Sequence, residues 1–221
     1  MDSINDLSKL IIHKFYAHSA DHVFTVAISG IDASGKGYVA KLLEDELRMQ
    51  GLRVATIHLD PWQNPITVRL QRENAAENFY KNAFRWNALF DRLVIPLRQD
   101  GSIHLSSRLI NTHADEYCDF DFDHTEINVL LFEGIFLFQE RFLHYYDLKI
   151  WIDSSFETAM KRALHRNTEK LSEADLVRDY NTYYYPAQYY HFEKDQPRRL
   201  SNIIYNKDEL LGIVGQVTVN F

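Results

Sequence analysis

The feature that most restricts the fold of this 221-residue chain is a short apolar segment that runs directly into a glycine-rich loop. Residues 22–29 read HVFTVAIS, a β-branched and apolar run that predicts a buried strand. Residues 30–37 read GIDASGKG and fit the pattern G-x-x-x-x-G-K. Residues 36–50 have the apolar spacing of an amphipathic helix, which Gly51 ends. A strand, this loop and a helix in direct succession predict an α/β fold with a phosphate-binding loop.

The chemistry of such a loop explains its residue types. Glycines let backbone N–H groups close around phosphate oxygens, and the N-terminus of the following helix adds a favourable dipole. Lys36 supplies a positive charge for the β and γ phosphates of a nucleotide. We therefore expect the cofactor, ATP or GTP, to contact Gly30, Ile31, Asp32, Ala33, Ser34, Gly35, Lys36, Gly37 and Tyr38.

One position of the loop departs from the motif. The residue after the lysine is usually Ser or Thr, whose hydroxyl binds Mg²⁺, but in this chain it is Gly37. Glycine offers no side-chain ligand, so water or another residue has to complete the coordination of the metal. This departure favours a second hypothesis, in which the chain is a nucleotide-binding regulatory module with weak or no kinase activity.

The rest of the chain alternates between strand and helix patterns. Apolar runs predict strands at residues 53–59, 128–132, 148–152 and 202–205, and a strand or hairpin at residues 103–110. Helical spacing occurs at residues 4–18, 155–166 and 173–192, and in two pieces between residues 66 and 99. This order predicts one three-layer α/β domain over residues 1–221, with five parallel strands and helices on both faces. The tail after Leu210 carries no pattern that assigns it.

Charge and cysteine content narrow the function classes. The formal net charge is −7, which argues against a nucleic-acid partner because such proteins usually present a basic face. The single cysteine, Cys118, fits a reducing compartment. The first residues contain acidic groups and lack the apolar run of a signal peptide, and no later apolar run is long enough to cross a membrane. We expect a cytoplasmic protein that acts on a small molecule, and a homo-oligomer is possible.

Two carboxylates follow predicted strands at the places where phosphoryl transfer needs them. Asp60 ends the second predicted strand, and Glu133 ends the third. Parallel strands bring their carboxyl ends to one edge of the sheet, beside the glycine-rich loop. Phosphoryl transfer requires a metal anchor and a group that orients or deprotonates the acceptor. Asp60 and Glu133 are therefore the candidates for these two roles.

These motifs resemble the uridine kinase family of P-loop kinases, a branch that includes pantothenate kinase and phosphoribulokinase. The resemblance rests on the Ala-Ser-Gly-Lys form of the loop, on Asp60-Pro61-Trp62 and on Glu133-Gly134-Ile135. It continues through residues 82–86 (NAFRW), 147–153 (DLKIWID), 185–189 (YPAQY) and 203–206 (IIYN), and spans about residues 23–208. It implies a P-loop NTPase fold with a lid at about residues 162–178. It also implies that Asp60 is the general base, that Asp60 and Glu133 hold Mg²⁺, and that Arg162 and Arg166 contact the phosphates.

The acceptor that the resemblance implies is a nucleoside such as uridine or cytidine. Nucleoside kinases of the family carry Asp-His-Pro-Asp where this chain has residues 79–82 (FYKN), so pantothenate-like or sugar-phosphate acceptors stay open. Arg69 and Arg72 share one face of a short helix, where they could grip an acidic acceptor or be solvated. The residues expected to contact the acceptor are Trp62, Arg69, Arg72, Tyr80, Glu133 and Gln188.

Overall fold

The structure of the protein is a computed structural model that describes residues 3–111, 114–167 and 170–220. Its strands are β1 (Phe24–Gly30), β2 (Val54–His58), β3 (Ile103–Asn111), β4 (Glu116–His124), β5 (Val129–Glu133), β6 (Leu148–Asp153), β7 (Ile203–Asp208) and β8 (Ile213–Val219). Six of them form one sheet in the order β2-β5-β1-β6-β7-β8, and β3 pairs with β4 in a separate hairpin.

Ten α-helical segments are present in the described residues: α1 (Ser3–Tyr16), α2 (Lys36–Met49), α3 (Ile66–Arg69), α4 (Ala75–Asn82), α5 (Trp86–Leu89), α6 (Ile95–Asp100), α7 (Phe156–Arg166), α8 (Glu173–Asp179), α9 (Tyr185–Asp195) and α10 (Pro197–Leu200). One π-helical turn, Phe90–Val94, joins α5 to α6, and another, Tyr180–Tyr184, joins α8 to α9. Short 3₁₀ turns lie at Asp60–Trp62 and Glu140–Tyr145. The predicted helices at residues 4–18, 36–50, 155–166 and 173–192 are all found, with ends shifted by a few residues.

The five parallel strands predicted from the sequence are confirmed, but the sheet has a sixth strand. β1 lies between β5 and β6, β2 pairs with β5, and β7 pairs with β6, all in parallel. β8 pairs with β7 in the antiparallel direction. It is formed by the tail that the sequence pattern left unassigned. The connection from β7 is short and turns at Gly212 (φ 68°), and a short turn of this kind can only join antiparallel strands.

Apolar residues cover both faces of the sheet, which confirms the three-layer prediction. In β1, Val26 and Ile28 belong to the cluster beneath α1 and α2, whereas Ala27 belongs to the cluster on the opposite face. β5 alternates in the same way, with Leu131 on the first side and Phe132 on the second. Burial on both faces explains why these parallel strands are continuously apolar in sequence.

The hairpin of β3 and β4 packs over the turn that follows β2. Phe122 of β4 contacts Trp62, with 6.2 Å between ring centroids. Arg85 donates a hydrogen bond to the carbonyl of Arg108 in β3 at 3.1 Å. The sequence predicted a strand or hairpin at residues 103–110 but did not assign its partner, β4. In the described part of the chain, no helix is long and apolar enough to span a bilayer.

Candidate active site

The glycine-rich loop connects β1 to α2 and depends on two backbone constraints. A Cβ atom at Gly30 would lie 2.6 Å from the carbonyl oxygen of Ile152 in the neighbouring strand, so only glycine fits there. Gly35, directly before α2, has φ 95°, a left-handed conformation that glycine adopts without strain. These two residues let the loop curl back over the start of α2, with its amide groups near the helix N-terminus.

Lys36 is positioned inside this loop. Its side chain is almost buried, and Nζ donates a hydrogen bond to the carbonyl oxygen of Ile31 at 2.8 Å. The ammonium group therefore stays at the mouth of the loop, where an anion can exchange for the carbonyl. This placement fits the predicted contact with nucleotide phosphates.

An open cavity of about 330 Å³ lies directly against the loop. It collects all of the residues predicted to act in catalysis or to bind metal: Lys36, Asp60, Glu133, Arg162 and Arg166. The remaining lining is mostly the loop itself, with Tyr38 and Ile135. The carboxyl ends of β1, β2 and β5 meet here, as expected for a ligand site of a parallel sheet.

The two carboxylates of the cavity come from neighbouring strands. Asp60 begins the 3₁₀ turn after β2, and Glu133 is the last residue of β5. Asp60 is exposed toward the cavity, but protein surrounds its carboxylate on the other sides. This partial loss of water, followed by repulsion from Glu133 and Asp32, raises the pKa of Asp60 to about 6. A cation bound between these carboxylates would offset their mutual repulsion.

The donor set fits a magnesium ion. Mg²⁺ prefers oxygen ligands and is usually held by one or two carboxylates together with water and substrate phosphates. Asp60 and Glu133 supply the carboxylates, and the adjacent loop is where phosphates would lie. Gly37 supplies no ligand, yet a Cβ atom built on it would lie 3.9 Å from Oε1 of Glu133 and clash with nothing nearer. The space of the missing hydroxyl is therefore next to Glu133, on the metal side of the loop.

Glu133 has a partner that sequence reasoning missed. His58, the last residue of β2, is in register with Glu133 in the parallel pairing of β2 and β5. Its Nδ1 lies 2.8 Å from Oε1 of Glu133, and this hydrogen bond is the main cause of a raised pKa of His58. His58 lies within the second predicted strand, but only the register between β2 and β5 sets it opposite Glu133, so no local sequence signal identified this pair.

The two arginines expected to act as lid residues are placed differently from one another. Arg162 donates to the carbonyl oxygen of Ser34 in the loop at 2.7 Å and also pairs with Glu209 after β7. Arg166, at the end of α7, lines the cavity. Both arginines thus line the cavity, Arg162 also braces the loop, and their contacts with phosphates stay predictions. The predicted lid comprises the end of α7 and all but the last residue of α8, and residues 168 and 169 between them lie outside the described part.

A tyrosine of the segment after the lid also contacts the loop. The hydroxyl of Tyr180, in the π-helical turn between α8 and α9, donates a hydrogen bond to the carboxylate of Asp32. Asp32 lines the cavity, so this bond connects the helix after the lid to the phosphate-binding loop.

Of the six residues expected to contact the acceptor, Glu133 lines the cavity and the others do not. Trp62 and Gln188 are completely buried, and the amide of Gln188 makes no hydrogen bond within the described residues. Tyr80 is buried and donates a hydrogen bond to Asp195, in a separate cavity. Arg69 is buried and lies 3.4 Å from Asp115, while Arg72 is exposed. Their roles in acceptor binding stay predictions, and the fold uses several of them for packing.

The chain matches the model of the phosphoribulokinase / uridine kinase family over residues 25–174. No curated protein matches it. Among solved structures it resembles a possible uridine kinase from Bacillus stearothermophilus, which is 20% identical with a TM-score of 0.72, over 92% of this chain and 97% of that one. It also resembles a D-glycerate 3-kinase from Cryptococcus neoformans, which is 13% identical with a TM-score of 0.68, over 98% of this chain and 99% of that one.

A third similar structure is a putative fructose transport system kinase from a Silicibacter species. It is 18% identical with a TM-score of 0.65, over 82% of this chain and 92% of that one. At these identities the three structures establish the shared fold, and the family match covers more than half of the chain. The P-loop, the two strand-end carboxylates and this match agree, and the chain belongs to the phosphoribulokinase / uridine kinase family of P-loop kinases.

Proposed function

We propose that the chain is a magnesium-dependent kinase that transfers the γ-phosphoryl group of ATP or GTP to a hydroxyl group of a small molecule. The observation that carries this proposal is that Lys36, Asp60 and Glu133 all line one and the same cavity. A charge for the phosphates, a pair of carboxylates and an open space for the acceptor are the parts that phosphoryl transfer requires.

The loop and Lys36 bind the phosphates of the donor. Backbone amides of the loop and the N-terminus of α2 face the phosphate oxygens, and the Nζ of Lys36 exchanges the Ile31 carbonyl for them. Asp60 and Glu133 would hold Mg²⁺, which would neutralise charge on the phosphate oxygens. Arg166 adds positive charge at the same cavity, where it stabilises the transferring group.

Asp60 is the general base of the proposed reaction. Its carboxylate accepts the proton of the acceptor hydroxyl as that oxygen attacks the γ phosphorus. Without metal, a pKa of about 6 already leaves most of the Asp60 carboxylate ionised at neutral pH, the state in which it can accept a proton. Its exposure to the cavity gives the acceptor access to it.

A nucleoside such as uridine or cytidine is the acceptor we propose first, since uridine kinases belong to this family. Pantothenate-like and sugar-phosphate acceptors are the alternatives, and the resemblance to a D-glycerate 3-kinase adds hydroxy acids. The test is nucleoside-diphosphate release with ATP or GTP and Mg²⁺ across uridine, cytidine, pantothenate, ribulose 5-phosphate and D-glycerate. Release that requires both an acceptor and Lys36 supports the proposal. An absence of acceptor-dependent release across the panel contradicts it.

A second candidate function is a nucleotide-binding regulatory module. Gly37 favours it, because the loop lacks the hydroxyl that usually helps to bind the metal. Retention of both strand-end carboxylates favours the kinase. In the same assay, such a module would show no acceptor-dependent release of nucleoside diphosphate, although it would still bind nucleotide through Lys36.

A further inference from the structure

Glu133 has one partner that the reaction scheme does not use, and the side-chain position of Gly37 faces the same carboxylate. Its carboxylate is nearly buried, with the residue only 7% exposed, and it faces the cavity from the end of β5. Behind it, Nδ1 of His58 lies 2.8 Å from Oε1. An ionised carboxylate can only accept hydrogen bonds, so Nδ1 carries the hydrogen and donates it.

Gly37 faces the same oxygen from the loop. The Cβ of a residue at this position would lie 3.9 Å from Oε1 of Glu133, which is an ordinary van der Waals separation. A serine there would place its hydroxyl beside Oε1, and the backbone of Gly37 is not in a left-handed conformation that excludes a side chain. His58 therefore holds the oxygen of Glu133 that also lies nearest to the side-chain position of residue 37.

We propose that His58 is a positioning residue that holds Oε1 of Glu133, the oxygen that a serine hydroxyl at position 37 would otherwise reach. With Oε1 held by His58, Oε2 would be the oxygen that stays available to Mg²⁺. The proposal rests on the proposed function only in assigning Mg²⁺ to Asp60 and Glu133.

The register of the sheet makes this contact between His58 and Glu133 possible. β2 and β5 pair in parallel with His58 opposite Glu133, so the imidazole reaches the carboxylate from the adjacent strand. Partners that orient a metal-binding side chain typically contribute about 10–100-fold to metal affinity. The imidazole side chain is about half exposed, at 53%, so its removal opens no cavity in the core.

The test is a set of three variants, His58→Ala, Gly37→Ser and the double variant. Each is loaded with a non-hydrolysable ATP analogue, and Mn²⁺ is titrated with free Mn²⁺ measured by electron paramagnetic resonance. We expect His58→Ala to weaken Mn²⁺ binding by about 10–100-fold, and Gly37→Ser alone to change it little. In the double variant, the serine hydroxyl should restore most of the lost affinity. His104→Ala is the matched control, since His104 is an exposed histidine paired with Asp123 on the hairpin.

Unchanged Mn²⁺ affinity in His58→Ala overturns the proposal. A double variant that binds Mn²⁺ no better than His58→Ala, while it melts like wild type, also overturns it. If His58→Ala does not fold, His58→Asn replaces it. This variant should keep most of the Mn²⁺ affinity, because the asparagine amide retains a hydrogen-bond donor. A loss of Mn²⁺ affinity in His58→Asn as large as that in Glu133→Gln overturns the proposal. The readout needs no acceptor, so a failure of the kinase assignment in turnover assays is a separate result.

Discussion

Asp208 anchors the helix that carries both arginines of the site, and its replacement by asparagine should destabilise the protein measurably. This buried carboxylate, at the end of β7, accepts hydrogen bonds from the amide of Ser155 at 2.7 Å, the hydroxyl of Thr158 and the amide of Leu211 at 3.3 Å. Burial alone would raise its pKa, but the bonds from Ser155, Thr158 and Leu211 outweigh burial and lower the pKa of Asp208 to about 2.

The magnitude follows from the number of bonds. A hydrogen bond to a charged group contributes about 1 kcal/mol more than one to a neutral group, so loss of the charge at three bonds costs about 3 kcal/mol. For a chain of this size, each kcal/mol shifts the melting temperature by about 2–4 °C, which gives a decrease of about 6–12 °C. Urea denaturation at neutral pH measures the free energy of unfolding directly. Asp123→Asn, an exposed residue of the hairpin, is the control.

The pH dependence supplies a second check on Asp208. Because its pKa is lower in the folded protein than in the unfolded chain, the carboxylate stabilises the fold above pH of about 4. That stabilisation is lost as the pH falls from about 4 toward 2. The Asn variant should therefore differ from wild type at neutral pH and approach it in acid. Equal stability of the two proteins at pH 7 would refute the reasoning.

Two further predictions concern the loop and the metal site. Lys36→Ala should abolish nucleotide binding in calorimetry while the melting temperature stays near that of wild type, because the ammonium group of Lys36 is hydrogen-bonded to the loop carbonyl of Ile31 and Lys36 belongs to neither hydrophobic core cluster. Loss of folding instead of affinity would contradict the loop assignment. Glu133→Gln should raise the Mg²⁺ concentration needed for half-maximal turnover, and excess Mg²⁺ should partly restore the rate, since an amide is a poorer ligand than a carboxylate. A variant with an unchanged Mg²⁺ requirement would exclude Glu133 as a metal ligand.

The fold was largely readable because its parallel strands are buried on both faces. Runs such as residues 129–132 (VLLF) are continuously apolar, and that pattern predicts a strand inside a three-layer fold. The antiparallel strands β4 and β8 were harder to predict. β8 contains Gly215 and lies beyond the last clear pattern, and β4 alternates aspartate with phenylalanine because one of its faces is in solvent.

The phosphate-binding residues could be predicted from the sequence because they are neighbours in one loop, and their spacing along the chain determines where they lie. Residues that depend on tertiary packing were not. Trp62 and Gln188 have polar atoms suited to a ligand, yet they are completely buried, and sequence alone does not show which side of a helix or turn faces the core. His58 was missed because its importance comes from its register against Glu133, across a strand pair formed by residues 75 positions apart.

The central claim is that Asp60 deprotonates a hydroxyl acceptor in a kinase reaction, and Asp60→Asn tests it most directly. Asparagine keeps the size of the side chain but cannot take a proton. With saturating nucleotide, Mg²⁺ and the acceptor that wild type uses best, we expect turnover to fall by at least about 100-fold, because a positioned general base contributes about 10²–10⁴-fold. Nucleotide affinity measured without metal should change little. Turnover near that of wild type in Asp60→Asn would contradict the mechanism and favour the nucleotide-binding module.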